Sequence, residues 1–261
     1  CIRDRDISLS EEYSAICGMT IEEIRDNFDA GVRQLAVRNE MSVDEAYAQL
    51  KKNYDGYHFS PTSPDIYNPF SLLSALSSGY FGAYWFSTGT PTFLVKMIRD
   101  MQIDLRDLEH IEEKLNNLMD ASFDLSNAIP LMYQSGYLTI RSYDPRFRTV
   151  QLDYPNEEVE QGFLDMLMKI YTESRSGRSE FDVRRFVLDV EAGRVDDFMT
   201  RLQALFSGYQ YDQIDLGNLE LHYRNVIYLA MKLMGFYTHA EMRTAAGRID
   251  LLVKTPDYLY L

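Results

Sequence analysis

Apolar residues recur every three to four positions along most of the chain, and this spacing predicts a protein built mainly from amphipathic helices. In the first clear segment they fall at Ile21, Ile24, Phe28, Val32 and Leu35. The same period returns over residues 219–234, just before a glycine that would end a helix. Each such helix has an apolar stripe, which predicts a face packed on a core.

Helix starts are marked by a hydroxyl residue followed three positions later by glutamate, the spacing of a capping box. Three pairs have this spacing: Ser8 with Glu11, Thr20 with Glu23, and Ser42 with Glu45. Asn68 before Pro69 predicts another start, because asparagine caps well and proline suits the first helical position.

Strict alternation of apolar and polar residues is limited to short segments. Residues 137–142 and 148–152 flank a turn and predict a hairpin, and residues 111–119 and 129–134 are predicted as helices before it. Residues 236–243, 249–253 and 258–261 predict strands near the carboxyl end. The fold class is therefore α-rich α+β, and the helix, helix, hairpin order is the outline of a winged-helix-like connector.

The charge is strongly acidic, with 40 acidic against 26 basic residues and a net charge of -14. This composition disfavours broad non-specific binding to nucleic acid, although a local basic patch or a metal-mediated contact is compatible with it. No apolar run approaches the roughly 20 residues that span a bilayer, so we expect no membrane partner. Cys1 and Cys17 form no disulfide framework, and a cytoplasmic location follows as the expectation. The acidic runs 104–113 and 153–160 are predicted to be solvated helix faces.

Two acids carry the candidate chemistry. Glu220 lies on the predicted helix 219–234, and Asp250 lies in the hairpin that follows. Nuclease cores of the PD-(D/E)XK type place one acid on the first helix and one on the second strand, and both bind a metal there. Magnesium suits such a pair because it prefers oxygen ligands. On spacing alone, each residue is also typical of a surface acid.

Other catalytic patterns are absent from the sequence. None of the 14 glycines precedes lysine, so the chain has no phosphate-binding P-loop of its own. The four histidines lack zinc-site spacing. The aromatic turns at 54–57 and 67–70 favour a structural role in packing over a binding role.

Several motifs together resemble a bacterial family that joins an AAA-ATPase-like domain to a C-terminal PD-(D/E)XK nuclease-like domain. The resemblance rests on segments 54–59, 67–73, 84–91, 129–138, 154–159 and 247–250. It implies that residues 1–100 are the end of the ATPase-like domain with its helical lid. Residues 101–175 would be the winged-helix-like connector, and 180–261 the first part of the nuclease-like domain.

The resemblance also implies site residues and cofactors. Asp250 matches the strand acid of the family, and Glu220 matches the helix acid less closely; both would be catalytic metal ligands. Mg²⁺ is implied for the intact nuclease-like site, and ATP for the ATPase-like part. Because the P-loop and the Glu-x-Lys strand are not among these residues, we expect an inactive fragment of an ATP-binding, metal-dependent nuclease-like protein.

A non-catalytic reading remains open beside this one. In it, the same folds form a regulatory or interaction module, whose partner would be another protein, a second copy of the chain or DNA; the net charge of -14 favours a protein partner over DNA. A Glu-x-Lys strand following Leu261 would favour the nuclease, and its loss would favour the interaction module.

Overall fold

The computed structural model describes residues 10–60, 62–88, 92–109, 111–119, 128–172, 181–207, 219–235, 241–244, 251–254 and 257–260. In these ranges the helices are α1 Ile21–Arg38, α2 Val43–Tyr54, α3 Pro69–Ser78, α4 Thr92–Asp100, α5 Leu115–Met119, α6 Ala128–Gln134, α7 Glu157–Tyr171, α8 Val183–Glu191, α9 Val195–Ser207 and α10 Leu219–Gly235. The strands are β1 Ile111–Lys114, β2 Thr139–Asp144, β3 Thr149–Asp153, β4 Glu241–Thr244, β5 Leu251–Lys254 and β6 Leu259–Tyr260. Short 3-10 helices cover Glu11–Tyr13, Trp85–Thr88 and Leu105–Leu108.

The chain divides into two compact units, and each is built from two separate stretches of sequence. The first unit comprises Cys1–Pro91 and Leu108–Gly162. The second comprises Thr92–Asp107 and Phe163–Leu261. The three domains expected from the resemblance remain a prediction, and the linker predicted at 174–179 lies outside the described residues.

The helices of the first unit begin where the capping patterns predict. Thr20 Oγ1 accepts a hydrogen bond from the Glu23 N–H, while the Glu23 carboxylate accepts one from the Thr20 N–H at 2.8 Å. Ser42 and Glu45 form the same reciprocal pair at the start of α2. Both capping boxes are confirmed; the third, at Ser8, lies outside the described residues.

Helices α1 to α3 enclose the core of the first unit. The predicted stripe of α1 is confirmed, because Ile24, Val32 and Leu35 are buried and Ile21 and Phe28 pack against them half-buried. The other buried members of this core are Ala36, Ala46, Leu50, Tyr54, Tyr67, Leu72 and Ala75.

The predicted hairpin of the first unit is confirmed, and its sheet has a third strand. β3 lies between β1 and β2, and all pairings are antiparallel. The helix predicted over 111–119 is wrong for its first half: Ile111–Lys114 is the strand β1, with Ile111 opposite Leu152. Pairing with a segment some 40 residues away overrides a local sequence that suits a helix, and only Leu115–Met119 is helical.

Helices α8 to α10 share the core of the second unit, whose buried residues are Phe186, Val187, Val190, Leu202, Leu205, Met231 and Met234. After α10, strands β4, β5 and β6 form an antiparallel sheet in sequence order. Thr244 of β4 lies opposite Leu251 of β5, and Val253 of β5 lies opposite Tyr260 of β6.

Helices together with antiparallel sheets make this an α-rich α+β protein, as the sequence pattern predicts. Among the described helices, none combines the length and the apolar character needed to cross a bilayer.

Candidate functional site

The nuclease-like candidate begins with helix α10. From Asn225 to Met234 most of this helix is buried, including Val226, Leu229, Leu233 and Met234, which explains why this part of its sequence is so rich in apolar residues. Glu220 lies in the first turn, where the positive end of the helix dipole favours a carboxylate. The helix therefore presents Glu220 from a fixed backbone.

The Glu220 carboxylate is open to solvent and bonded to a neighbour on its own helix. Its side chain is 81% exposed, and Oε1 accepts a hydrogen bond from Arg224 Nη2 at 2.7 Å. Arg224 also reaches Asp104, with Nη1 3.2 Å from Oδ2. Glu220 is thus the outer member of a chain of charges rather than an isolated acid.

Asp104 anchors this chain of charges. Arg106 donates to both of its carboxylate oxygens, at 2.9 and 2.6 Å. Hydrogen bonds from Arg106, reinforced by Arg224, lower the pKa of Asp104 to about 2 although partial burial acts against them. At neutral pH Asp104 is therefore a permanent negative charge that holds both arginines.

Asn225 fixes the position of α10 in the second unit. Its Oδ1 accepts from the Leu105 N–H at 3.0 Å, and its Nδ2 donates to the Ile103 carbonyl at 2.9 Å and to the Tyr171 hydroxyl at 3.3 Å. Burial of a carboxamide is costly unless both of its ends are paired, and here they are. The sequence does not reveal the role of Asn225, because its partners lie between 54 and 122 residues away.

His222, on the same helix, is buried against an aromatic ring. Its imidazole stacks on Tyr171 with centroids 5.7 Å apart and planes inclined by 13°. Burial lowers the pKa of His222 to about 4, so the ring is neutral at pH 7. A neutral, stacked histidine is typical of a packing role.

Asp250, the second sequence-predicted ligand, lies outside the described residues. In sequence it directly precedes Leu251, the first residue of β5. The order α10, β4, β5, β6 agrees with the order of elements that led us to pair Asp250 with Glu220. That the two carboxylates meet remains a prediction.

The described residues alone do not form a metal centre. No group of three or more histidine, cysteine, aspartate or glutamate side chains suited to a metal occurs within the ranges given above. Of the two predicted oxygen donors, the described part contains Glu220, whose Oε1 is bonded to Arg224. The chemistry of the donor pair suits Mg²⁺, but a metal site is not shown.

The aromatic motifs lie in the first unit and interlock there. Asn156 Nδ2 donates to the Asp55 carbonyl at 2.9 Å, and Arg141 Nη2 donates to the carbonyls of Tyr154 and Pro155 at 2.6 and 2.9 Å. Trp85 packs edge-on against Tyr137, with ring centroids 4.8 Å apart. These contacts agree with the structural role favoured for the motifs.

Three comparisons with known proteins complete the picture. Residues 218–261 match the family model of the PD-(D/E)XK nuclease superfamily. Over 266 aligned residues the chain is 29% identical to a protein of Azotobacter chroococcum mcd 1 described as "Uncharacterized protein in vnfD 5'region". That match covers 98% of this chain and 48% of the relative, so the chain spans about half of the relative's length. No solved structure matches the chain.

Proposed function

We propose that residues 218–261 belong to a metal-dependent nuclease site that hydrolyses phosphodiester bonds in nucleic acid. The observation that carries this proposal is the coincidence of the family match with a helix followed by three antiparallel strands. The order of one helix followed by three strands supports the proposal, because it is the order in which the sequence pairs Glu220 with Asp250.

Glu220 and Asp250 are the proposed oxygen ligands and catalytic residues. A bound Mg²⁺ supplies Lewis-acid stabilisation of phosphate charge and lowers the pKa of its water. The side chains of the protein would position the metal ligand: Arg224 holds the Glu220 carboxylate, and Asp104 holds Arg224. Arg224 and Arg106 are both paired with carboxylates at this end of α10, so they position the acids without adding net positive charge.

The remaining parts of the family resemblance stay proposals. They assign residues 1–100 to an ATPase-like domain with a helical lid, and residues 101–175 to a winged-helix-like connector. ATP binding rests on the same motifs, and a cytoplasmic location rests on the absence of a disulfide framework in the sequence. The family model matches residues 218–261, whereas the relative that covers 98% of the chain is described as uncharacterized and assigns no activity to the other parts.

The decisive experiment is Mg²⁺-dependent cleavage of DNA and RNA by the natural full-length protein, beside its Asp250→Asn and Glu220→Gln variants. We expect cleavage to stop on chelation of the metal and in the Asp250→Asn variant. Glu191→Gln, an exposed acid of α8, is the matched control and should cleave like the wild type. Folded protein that cleaves neither substrate would contradict the proposal.

A non-catalytic interaction module is the second candidate, and two observations favour it. Glu220 already has a cationic partner in Arg224, and the net charge of -14 opposes nucleic-acid binding. In this reading calorimetry detects no Mg²⁺ binding to the folded full-length protein, and Asp250→Asn changes nothing. The proposed nuclease requires Mg²⁺ binding that weakens in that variant.

A further inference from the structure

The turn of the first-unit hairpin carries an exposed aromatic ring beneath a cation. Residues 145–148 connect β2 to β3, and all four are exposed. The Arg146 guanidinium lies over the Phe147 ring, 4.8 Å from its centroid, and Phe147 is 60% exposed. This turn, the hairpin tip, thus presents a cation–π pair to solvent, although burial of an aromatic ring is favourable.

The arginines of the hairpin tip are not used by the fold. Neither Arg146 nor Arg148 forms an ion pair with any residue of the described ranges. Arg141, on strand β2, is the contrast, because its Nη2 donates to the carbonyls of Tyr154 and Pro155. The two guanidinium groups of the tip therefore keep their side-chain N–H donors available to a partner.

Lys114 adds a third cation beside the hairpin tip. It is exposed, and in the sheet it lies opposite Thr149, the residue that follows the tip. The next N–H, that of Leu115, donates to the Arg148 carbonyl at 3.1 Å. Lys114 likewise has no ion pair within the described part of the chain. Three unpaired cations therefore border one exposed ring.

Three acids lie nearby, and two of them accept main-chain hydrogen bonds. Asp144 Oδ1 accepts from the Arg146 N–H at 2.8 Å and so holds the turn. Glu113 Oε1 accepts from the Lys114 N–H at 2.8 Å. Glu112, also exposed, lies one residue farther along β1. Their charges lower the local net charge, so this surface suits contact with a few phosphates rather than with a long duplex.

Arg148 has a backbone conformation that does not favour arginine. Its φ is +56°, in the left-handed region where glycine or asparagine is less strained. Closing a tight turn therefore gives no reason for arginine at this position. A partner that binds the guanidinium outside the fold gives one, and it explains why the strain is retained.

We propose that the hairpin tip and Lys114 bind single-stranded nucleic acid. One base stacks on the pair of Phe147 and Arg146, because every base has a π face that an exposed ring or guanidinium can cover. Arg148 and Lys114 bind neighbouring phosphates, the guanidinium through paired N–H donors. A duplex hides its base faces, whereas a single strand offers them together with its phosphates.

Other anionic partners fit this surface less well. An acidic peptide would use the three cations, but its carboxylates gain nothing from the exposed ring. An anionic membrane would favour several apolar side chains at the tip, which offers a single aromatic ring. The proposed contact lies in the first unit and needs no metal, so it stands apart from the nuclease proposal for residues 218–261.

The first test is the fluorescence anisotropy of a labelled oligothymidylate of about 12 nucleotides, titrated with the full-length protein in EDTA and low salt. Phe147→Ala should raise the Kd about 5-fold or more, because stacking on one base is lost. Phe93→Ala removes a similarly exposed phenyl ring from α4 and should leave the Kd unchanged. No binding by the wild type, or equal effects of the two variants, would overturn the proposal.

The second test separates binding from folding at Arg148. Arg148→Gly removes the guanidinium and relieves the left-handed backbone, so the urea midpoint should stay or rise while the Kd increases roughly 3- to 10-fold. Arg184→Gln removes one exposed charge from α8 and should change neither quantity. A lower urea midpoint for Arg148→Gly would show that the arginine serves the fold, and an unchanged Kd would show that it does not bind the strand; either result overturns the proposal.

The same titration distinguishes this contact from the nuclease site and from other partners. Asp250→Asn should give the wild-type Kd, so a failure of the nuclease proposal leaves this one intact. A weaker Kd in that variant would assign the binding to the nuclease-like part and overturn the proposal. Tighter binding of a glutamate-rich peptide, of phosphatidylserine vesicles or of a duplex of the same length would overturn it as well.

Discussion

Buried carboxylates occur in both units, but the protein stabilises them in opposite ways. In the first unit, Glu158 and Asp55 form no ion pair with a described residue, and Glu158 accepts from main-chain N–H groups. Burial raises the pKa of both. In the second unit, Asp189 is held by two arginines, with Arg201 Nε at 2.6 Å and Arg194 Nη2 at 2.9 Å.

The Asp189 pairs join helix α8 to the chain that follows it. Burial alone would raise the pKa of Asp189, but hydrogen bonds from Arg201 and Arg194 outweigh it and lower the pKa. In the first unit the stability of the buried carboxylates thus depends on close main-chain geometry, and in the second unit it depends on ion pairs. The two should therefore differ in what breaks them and in their response to pH.

The largest effect is expected for Gly56→Ala in the first unit. Gly56 has φ of +98°, and a Cβ there would lie 2.1 Å from the Pro155 carbonyl oxygen. We expect the free energy of unfolding to fall by about 3 kcal/mol or more, as measured by urea titration. Gly31→Ala is the matched control, because a Cβ there meets Leu76 at an ordinary 3.7 Å. It should gain about 0.5–1 kcal/mol; equal effects at both positions would contradict the main-chain argument.

Asp189→Asn comes next and tests the dependence of the second unit on charge. Asp189 is 2% exposed, and its loss of charge leaves two arginines without their partner. We expect a loss of about 2–4 kcal/mol, moderated because both arginines reach solvent. Asp197→Asn removes an exposed, 3.5 Å pair with the same Arg194 and should change the stability by less than about 1 kcal/mol. Similar losses in the two variants would refute the distinction.

Glu158→Gln should change the free energy of unfolding less than the two variants above, and the pH dependence of this change tests the comparison further. The Glu158 pKa is raised above its usual 4.5, so its contribution to stability is fully present below pH 4.5 and is lost as pH rises through the raised pKa. The wild type should therefore lose stability relative to Glu158→Gln as pH rises from 4.5, and the two should differ by only about 1 kcal/mol at pH 7.

For Asp189 we expect stability to depend on pH in the opposite direction. Its pKa is lowered below 3.8, so its contribution is present above pH 3.8 and is lost as pH falls through the lowered value. Chemical unfolding of both variants between pH 3 and 7 measures the two trends. Parallel pH profiles for Glu158→Gln and Asp189→Asn would contradict the opposite pKa shifts.

The smallest effect is expected for Glu220→Gln. Its exposed pair with Arg224 contributes little, and the free energy of unfolding should change by no more than about 0.5 kcal/mol. Circular dichroism during thermal unfolding provides the check. A loss above about 1 kcal/mol would mean that Glu220 is structural and would complicate its use as a test of cleavage.

Local sequence patterns predict what is decided locally. The capping boxes at Thr20 and Ser42 and the stripe of α1 involve residues within one or two turns of helix, and the structure has them as predicted. Strand β1 was missed because its pairing with β3 is not local. Asp250 remains a prediction from motif order and is not tested by the described residues.

The buried polar groups show the same limit. The acidic runs 104–113 and 153–160 were predicted to be solvated helix faces, yet Glu158 is buried and Asp104 is largely enclosed by its arginines. Nothing near Glu158 in sequence identifies its partners, which lie more than 70 residues earlier. Composition correctly marks such runs as acidic, but only tertiary contacts decide which acid turns inward.

The hydrogen bonds of Asn225 have a consequence for synthesis on the ribosome. Its partners at Ile103 and Leu105 are translated about 120 residues earlier, which is on the order of ten seconds at ordinary elongation rates. During that interval the Leu105 N–H and the Ile103 carbonyl lack the carboxamide that pairs with them in the finished protein. In nascent chains paused before residue 225, the Leu105 amide hydrogen should therefore exchange with solvent faster than in chains released after α10.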